Sequence, residues 1–205
     1  TNYSPDGDYV LDDRVYLPHI AEGIDAEAEN EFHCLSGTGG NGAVDLIADN
    51  TSIIHGIGLD ATDVALVAER SAQLVWSPRS NVSLYGETAP VTLYDELGVP
   101  IALGTDWTPS GSATVLRELQ CADYLNQNHY DSYFSDRDLW RMVTSNAAIA
   151  MGAEGQLGRL RAGWVADVAI FDGSVGTDHR AVIDASIQDV ELVLRGGKAH
   201  TGDAD

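Results

Sequence analysis

Lysine is almost absent from this chain, in which 32 acidic residues stand against 11 basic ones and Lys198 is the single lysine. The formal net charge of −21 repels nucleic acids and anionic membranes, so we expect neither as a partner. A solvated surface suited to high salt, where ions screen the self-repulsion, accounts for this charge. Electrostatic attraction of a cationic substrate is the alternative.

Long apolar runs and cysteines are also scarce. No run of about 18 apolar residues occurs, which predicts that no helix spans a membrane. The two cysteines, Cys34 and Cys121, lie far apart and outside any CxxC pattern. We therefore predict reduced, buried thiols in a cytoplasmic protein. A GxSxG motif is missing too, so a serine hydrolase is unsupported.

Apolar runs that favour strands alternate with helical patterns, and hydrophobic residues make up 44% of the chain, enough for a packed core. Each strand candidate is a nearly continuous apolar run, which is typical of a parallel sheet buried on both faces. The order βαβαβαβα predicts an α/β fold. The predicted strands are 15–20, 52–59, 73–77 and 100–105, and the predicted helices are 26–35, 60–70, 88–97, 114–126 and 136–151.

Polar residues lie at or near the ends of the four predicted strands, at His19, His55, Ser77 and Asp106. Their spacing is about that of one βα unit in an eight-unit barrel of ~250 residues. Four strands cannot close such a barrel, so we expect a partial TIM barrel and a sequence that begins in the middle of the protein. After Met151, glycines punctuate short β-like segments at 165–171 and 190–195, which predicts part of a small β-sandwich. The expected domains are 1–152 and 153–205.

The first chemical candidate is His19, followed three residues later by Glu22. Imidazole is the commonest protein ligand for a zinc-like ion, and the carboxylate can reach the same pocket. His55 lies inside an apolar strand, where a histidine needs a partner or a function, and Gly56 removes a side chain beside it. Asp106 follows the last strand, at the end where α/β barrels place their active sites.

Each candidate also has a structural interpretation. His19 and His55 fit hydrogen-bonded structural histidines, and Asp106 fits a cap for the next helix. Taken together they favour a site, because the carboxyl ends of parallel strands lie on one face of a barrel. We expect His19, His55 and Asp106 to converge on a cavity that holds one divalent metal ion.

On these residues the chain resembles the amidohydrolase superfamily, in its cytosine-deaminase-like, chlorohydrolase-like and imidazolonepropionase-related branch. The segments that carry the resemblance are, in chain order, HIAEGIDAEAENEF, SIIHGIGL, VWSPRSNVSLYG, VPIALGTDW, MVTSNAAIAMG and GQLGRLRAGWVADVAIFD. They are similar to the family's fifth to eighth barrel strands, its last barrel helix and the following part of its β-sandwich. The resemblance implies a hydrolase of C–N bonds in amides, cyclic amides or amino-heterocycles.

The resemblance also implies roles for individual residues. His19 and Asp106 bind one divalent metal ion, Zn²⁺ or Fe²⁺, which lowers the pKa of a water from about 15.7 to about 7. Asp106 accepts the water proton, and Glu22 delivers a proton to the substrate or the leaving nitrogen. His55 orients the nucleophile and stabilises developing oxyanion charge.

Arg79 and Asn81 follow the third strand in the segment SPRSN, where either could anchor the small-molecule substrate. For Arg79, a salt bridge that braces the loop is equally open. Trp76 and Tyr85 lie near these positions in the sequence, and Trp107 directly follows Asp106. They are predicted to form apolar walls of the substrate pocket.

The chain departs from the family pattern at one point: the H-x-H pair that supplies two ligands in the family's first strand does not occur in these 205 residues. We therefore expect a fragment that needs the missing N-terminal half of the barrel, or a complementing chain, as its partner, and a homo-oligomer is also open. A catalytically inactive scaffold with the amidohydrolase fold is the alternative function. A cofactor-binding α/β fold would need a strand before the glycine-rich loop 36–42, and none is predicted.

Overall fold

The structure, a computed structural model, describes residues 15–174 and 176–202, and at the backbone level also two short N-terminal strands. These are β1 (Asn2–Tyr3) and β2 (Tyr9–Val10), which pair antiparallel with each other. Within the described part of the chain, no helix combines the length and the apolar character needed to cross a bilayer.

A four-stranded parallel sheet forms the centre of the fold, with its strands in chain order. Each strand lies inside a run that the sequence predicts as a strand, which confirms an α/β fold with a parallel sheet. The observed strands are shorter than the predicted runs, because the chain leaves the sheet soon after its last paired residues. They are β3 (His19–Ile20), β4 (Ser52–His55), β5 (Gln73–Trp76) and β6 (Ile101–Leu103).

Helices connect these strands and follow the last one. Four begin at a residue whose side chain accepts a backbone N–H of the first turn, as helix N-caps do: Asp25, Asp60, Thr114 and Ser135. The helices are α1 (Ala26–Leu35), α2 (Ala61–Glu69), α3 (Pro78–Tyr85), α4 (Val91–Glu96), α5 (Val115–His129), α6 (Asp136–Met142) and α7 (Ser145–Ala150).

Three helix predictions need correction. The segment read as a loop after the third strand is helix α3, which has Pro78 at its first position and ends at Gly86 with φ of 73°. Helix α4 begins only after Pro90. The predicted helix 136–151 is two helices, because the Thr144 hydroxyl donates to the Trp140 carbonyl and its backbone leaves the helical range.

The core lies between the parallel sheet and these helices. Ile53, Leu74 and Trp76 of the sheet have no exposed surface, and they pack with Phe32 of α1 and Leu119 of α5. Each large apolar side chain buried in this way stabilises the fold by roughly 1.5–3 kcal/mol. Trp76 is therefore a core residue, and its predicted place in a pocket wall is wrong.

A second, three-stranded antiparallel sheet follows, formed by β7 (Val168–Phe171), β8 (Val190–Arg195) and β9 (Lys198–Gly202). Gly196 and Gly197, both with positive φ, make the turn between β8 and β9. Between β7 and β8 lies the short helix α8 (Arg180–Ile183), which packs against α5 and α6. Ile183 joins the main core, so part of the segment after residue 153 stabilises the parallel-sheet region.

The cysteine prediction is only partly right. Cys34 is exposed on α1, so the expectation of a buried thiol is wrong there, whereas Cys121 on α5 is partly buried. The glycine-rich loop follows α1 and not a strand, and residues 37–42 are exposed. A dinucleotide-binding loop would open a helix directly after a strand, so this alternative finds no support in the structure.

Candidate functional site

The carboxyl ends of the parallel strands bring three of the predicted residues together. One possible ligand atom from each of His19, His55 and Asp106 lies within 4.8 Å of the others. The centroids of the two imidazole rings are 5.1 Å apart. Two imidazole nitrogens and a carboxylate oxygen are a donor set that suits zinc. The residues therefore fit a divalent metal ion.

The backbone is strained at the ends of the strands that form this cluster. Ala21, His55 and Asp106 have φ of 53°, 79° and 53°, values that residues other than glycine rarely adopt. Each such residue costs on the order of 1–3 kcal/mol and persists only where its surroundings hold it. Ala21 and His55 are fully buried, so packing supplies that constraint.

Gly56 serves a different purpose from the one predicted. A Cβ atom there would lie 2.6 Å from the Tyr94 hydroxyl, which donates a hydrogen bond to the Gly56 carbonyl. The missing side chain thus makes room for a buried tyrosine under the strand end. It does not open a ligand pocket.

The two ring nitrogens of His55 have different surroundings. Its Nδ1 lies 2.9 Å from Oδ1 of Asn81. Its Nε2 is buried, has no hydrogen-bond partner among the described residues and lies 3.5 Å from Oε2 of Glu22. A buried polar atom without a partner is costly, which suggests that this nitrogen has a ligand in the working protein. The resemblance implies that His55 contacts the attacking water and the substrate. The geometry also allows His55 to be a third metal ligand.

Glu22 is held between two side chains of the site. Its Oε1 accepts a hydrogen bond of 3.1 Å from the Tyr85 hydroxyl, and its side chain is 30% exposed. Burial raises the pKa of Tyr85, and the hydrogen bond to Glu22 and the charge of Asp106 act in the same direction. Tyr85 therefore remains a neutral donor, and its contact with Glu22 is polar where the sequence predicts an apolar wall.

The three predicted substrate-binding residues occupy different environments. Asn81 is fully buried, its nitrogen donates to Thr88 Oγ1 and its oxygen faces Nδ1 of His55. Arg79 is partly exposed, and its guanidinium forms no ion pair with any of the described residues. The loop-bracing salt bridge is therefore not observed there. Trp107, beside Asp106, is 67% exposed.

Glu118 is a buried carboxyl group near the site that the sequence pattern does not single out. It has no exposed surface, and its Oε1 accepts the Arg79 backbone N–H at 2.9 Å. Burial raises its pKa, and the charge of Asp106 adds to the shift, while Ser112 and Arg79 oppose it. Acidic residues are common in the first turn of a helix because they interact favourably with the helix dipole. The sequence therefore gives no sign that Glu118 is a buried acceptor for the Arg79 backbone.

A second group of possible metal ligands lies between α1 and α2 and comprises Glu29, His33 and Asp63. Nε2 of His33 and Oδ1 of Asp63 already pair at 3.0 Å. Asp63 also accepts the Asp60 backbone N–H in the capping box of α2. These contacts join the two helices, so His33 has a packing role.

Comparison with known proteins agrees with this geometry. The model of the amidohydrolase family matches residues 18–199. The 5-methylthioadenosine/S-adenosylhomocysteine deaminase of Pyrococcus abyssi is 30% identical over 185 residues, which are 86% of this chain and 43% of that protein. The deaminase of the same name from Halobacterium salinarum is 35% identical over 132 residues, which are 63% of this chain and 30% of that protein.

Two solved structures share the fold. An adenosine deaminase from Xanthomonas campestris with bound zinc has a TM-score of 0.78 at 23% identity, over 90% of this chain and 45% of that one. Atrazine chlorohydrolase from Arthrobacter aurescens TC1, complexed with zinc, has a TM-score of 0.73 at 21% identity, over 93% of this chain and 44% of that one. The chain thus spans less than half the length of these relatives. From the family match and the strand-end cluster together, the chain belongs to the amidohydrolase family.

Proposed function

We propose that this chain forms the metal-binding half of a hydrolase that deaminates an amino-heterocycle. Water replaces the exocyclic amino group, so that the products are the carbonyl compound and ammonia. The observation that carries the proposal is the convergence of His19, His55 and Asp106 within 4.8 Å, with Nε2 of His55 buried and without a hydrogen bond to any described residue. The names of the relatives support an aminopurine nucleoside as the substrate class.

His19 and Asp106 would hold the metal ion, with Nε2 of His55 as the third possible ligand. When bound, a divalent ion supplies a Lewis acid that lowers the pKa of a water from about 15.7 to about 7. Zinc is the better candidate than iron, because two structures of the same fold contain zinc.

The chain's own side chains would move the protons. Asp106 accepts a proton from the attacking water, and Glu22 gives a proton to the leaving nitrogen. The Tyr85 hydroxyl, which donates to Oε1 of Glu22, keeps that carboxylate directed toward His55. Nε2 of His55 faces the same space and would stabilise the charge that develops there.

The substrate would enter from the exposed side of the cluster, where His19 is exposed and Asp106 partly so. Trp107 offers an accessible aromatic face on which a heterocycle can stack. The guanidinium of Arg79, which forms no ion pair with the described residues, would bind a polar group of the substrate. Asn81, in contrast, is proposed to position His55.

The described strands make an open sheet, and relatives of the family are about twice as long as this chain. We propose that residues 1–152 supply strands five to eight of a TIM barrel and residues 153–205 supply part of a β-sandwich. The remaining strands, and further metal ligands, would come from the rest of the barrel on this or another chain. A scaffold without catalysis is the second candidate, because no H-x-H pair occurs in the 205 residues.

Zinc titration of the purified chain tests the proposal. We expect one zinc ion per chain, and we expect His19→Asn to weaken its binding at least about tenfold, because zinc sites need three or more protein ligands. His200→Asn is the matched control, since His200 is exposed in β9, and it should bind zinc like the wild type. Equal binding by wild type and His19→Asn would contradict the site. A wild-type chain without stoichiometric zinc would favour the scaffold.

A further inference from the structure

Helix α3 carries two side chains that contact residues of the candidate site. The Asn81 Oδ1 lies 2.9 Å from Nδ1 of His55, and the Tyr85 hydroxyl donates to Oε1 of Glu22 at 3.1 Å. Asn81 and His55 have no exposed surface, so water does not compete for their contact. The position of α3 therefore decides whether His55 and Glu22 keep these partners.

The start of α3 lacks the side-chain cap that many helices have. Ser77 occupies the N-cap position, but its hydroxyl accepts no backbone N–H of the first turn. This hydroxyl is buried and has no hydrogen-bond partner among the described residues. Pro78, at the first helical position, has no N–H. The Arg79 N–H, at the second position, is therefore the first that needs an acceptor from outside the helix.

Glu118 of α5 supplies that acceptor. Its Oε1 accepts the Arg79 N–H at 2.9 Å, and α3 packs against α5. A carboxyl oxygen at this place acts as an N-cap side chain does, and a negative charge there interacts favourably with the dipole of α3. Glu118 has no exposed surface, and a buried carboxyl group is costly unless its contacts compensate. Glu118 thus caps α3 from a different helix.

A second contact joins the start of α3 to the segment that carries Asp106. The hydroxyls of Ser80 and Ser110 lie 2.9 Å apart, and both side chains are buried. Burial raises the pKa of Glu118, and Ser112 of the same segment, close to this carboxyl group, opposes the rise. The start of α3, the start of α5 and the segment after β6 therefore meet around Glu118.

We propose that Glu118 is a positioning residue that acts on the site through α3. By capping this helix from α5, its carboxyl group holds Asn81 against His55. In the same way it holds Tyr85 against Glu22. Glu118 does not belong to the metal cluster, so its action is indirect. The inference deepens the proposed function, on which its zinc-binding arm rests, whereas its spectroscopic arm does not depend on that function.

Two variants of Glu118 separate the reach of its side chain from its charge. Glu118→Gln removes the charge but keeps an oxygen within reach of the Arg79 N–H, and its amide nitrogen can donate to the Ser112 hydroxyl. Glu118→Asp keeps the charge, but its shorter side chain withdraws the oxygen by about 1.5 Å. If Glu118 acts by its position, the Asp variant loses the effect and the Gln variant keeps it.

NMR of the metal-free chain measures both steps of the proposed action. In Glu118→Asp we expect hydrogen exchange of the Arg79 amide to become about tenfold faster, because its hydrogen bond is lost. We also expect a lower pKa of Tyr85, which burial raises and the hydrogen bond to Glu22 raises further. The Tyr85 signal is assigned by its loss in Tyr85→Phe. Glu118→Gln should match the wild type in both measurements.

Asp60→Ala controls for a general loss of stability, because Asp60 caps the separate helix α2. It should leave the pKa of Tyr85 as in the wild type. In zinc titrations, Glu118→Asp should bind about tenfold more weakly than the wild type, the lower end of the usual cost of losing a group that orients a metal ligand. Glu118→Gln should bind zinc like the wild type.

Two results would overturn the inference: an unchanged pKa of Tyr85 in Glu118→Asp, or the same changes in Glu118→Gln as in Glu118→Asp. If Glu118→Asp does not fold, Glu118→Gln still decides, because a faster Arg79 exchange or a lower Tyr85 pKa there contradicts action by reach. If the NMR results follow the expectation but the wild type binds no zinc, the proposed function fails and the role of Glu118 stands. If zinc binds but Tyr85 does not respond to Glu118→Asp, the proposed function stands and the inference fails.

Discussion

The two sheets of this chain differ in what covers them. In the parallel sheet β6 is buried at all three positions, whereas in the antiparallel sheet β9 is exposed at all five. Helices cover the first sheet, and the second presents much of its surface to solvent. The candidate site lies at the carboxyl ends of the covered sheet, so its strained backbone is held by a packed core. We infer that stability and the site depend mainly on the first sheet.

The largest expected effect on stability comes from truncating an apolar side chain, and it should differ between the two sheets. Leu74 of β5 has no exposed surface, while Ile170 of β7 is 46% exposed. Leu74→Ala should lower the free energy of unfolding by about 2–5 kcal/mol, because it removes buried methyl groups and leaves a cavity. Ile170→Ala should change it by about 0.5 kcal/mol or less. Denaturant unfolding measures both changes in the free energy of unfolding. Equal losses of stability would show that the two sheets do not differ in this respect.

A smaller effect is expected where the segment between β7 and β8 meets the helices of the first sheet. Arg180, whose side chain is 26% exposed, pairs with Asp123 at 2.8 Å and also with Asp136. Arg180→Ala should cost about 1.5–3 kcal/mol of stability, the usual worth of hydrogen bonds between charged groups. Because the pairs are partly exposed, added salt should reduce that loss.

Arg195, exposed at the end of β8, is the matched control for Arg180. Arg195→Ala should leave the free energy of unfolding within about 0.5 kcal/mol of the wild type. Unfolding in denaturant at low and high salt gives the comparison. A loss for Arg195→Ala as large as that for Arg180→Ala would mean that the ion pairs of α8 have no special part in joining the regions.

The smallest expected effect concerns the two cysteines and appears only in alkali. Burial raises the pKa of the Cys121 thiol to about 11 from the ordinary 9.0, and the charge of Glu118 acts in the same direction. Between these pH values the unfolded thiol has lost its proton while the folded one keeps it, so stability falls as pH rises. Each unit of difference is worth about 1.4 kcal/mol, which suggests a loss of about 1–2 kcal/mol for a thiol that is partly accessible.

Cys121→Ala should remove this alkaline loss, so its stability should fall less than that of the wild type between about pH 9 and 11. Cys34→Ala, at the exposed cysteine of α1, should follow the wild-type profile. Unfolding curves at a series of pH values measure the difference. Parallel profiles for wild type and Cys121→Ala would show that burial of this thiol does not matter.

Local patterns were sufficient to predict much of the fold. The nearly continuous apolar runs predict the four parallel strands of the described sheet, because a strand covered on both faces carries mostly apolar side chains. Helix α1 begins and ends where the sequence predicts, since Asp25 caps its start. The sequence does not predict helix α3, because its segment PRSNVSLY contains several residues with weak helix preference. Tertiary contacts stabilise this helix, such as the hydrogen bond from the Arg79 backbone N–H to Glu118.

By itself, the sequence determined the class of fold, the family and the strand ends at which His19, His55 and Asp106 occur, because these depend on periodicity and on short motifs. Only the tertiary structure decided that Asn81 bonds to His55, that Thr88 bonds to Asn81, and that Nε2 of His55 has no hydrogen-bond partner in the described part of the chain. Such contacts join residues from different elements, and their hydrogen bonds depend on how β4, β5 and α3 pack. The physical reason is that a side chain's partners are set by packing in three dimensions, which no local pattern records.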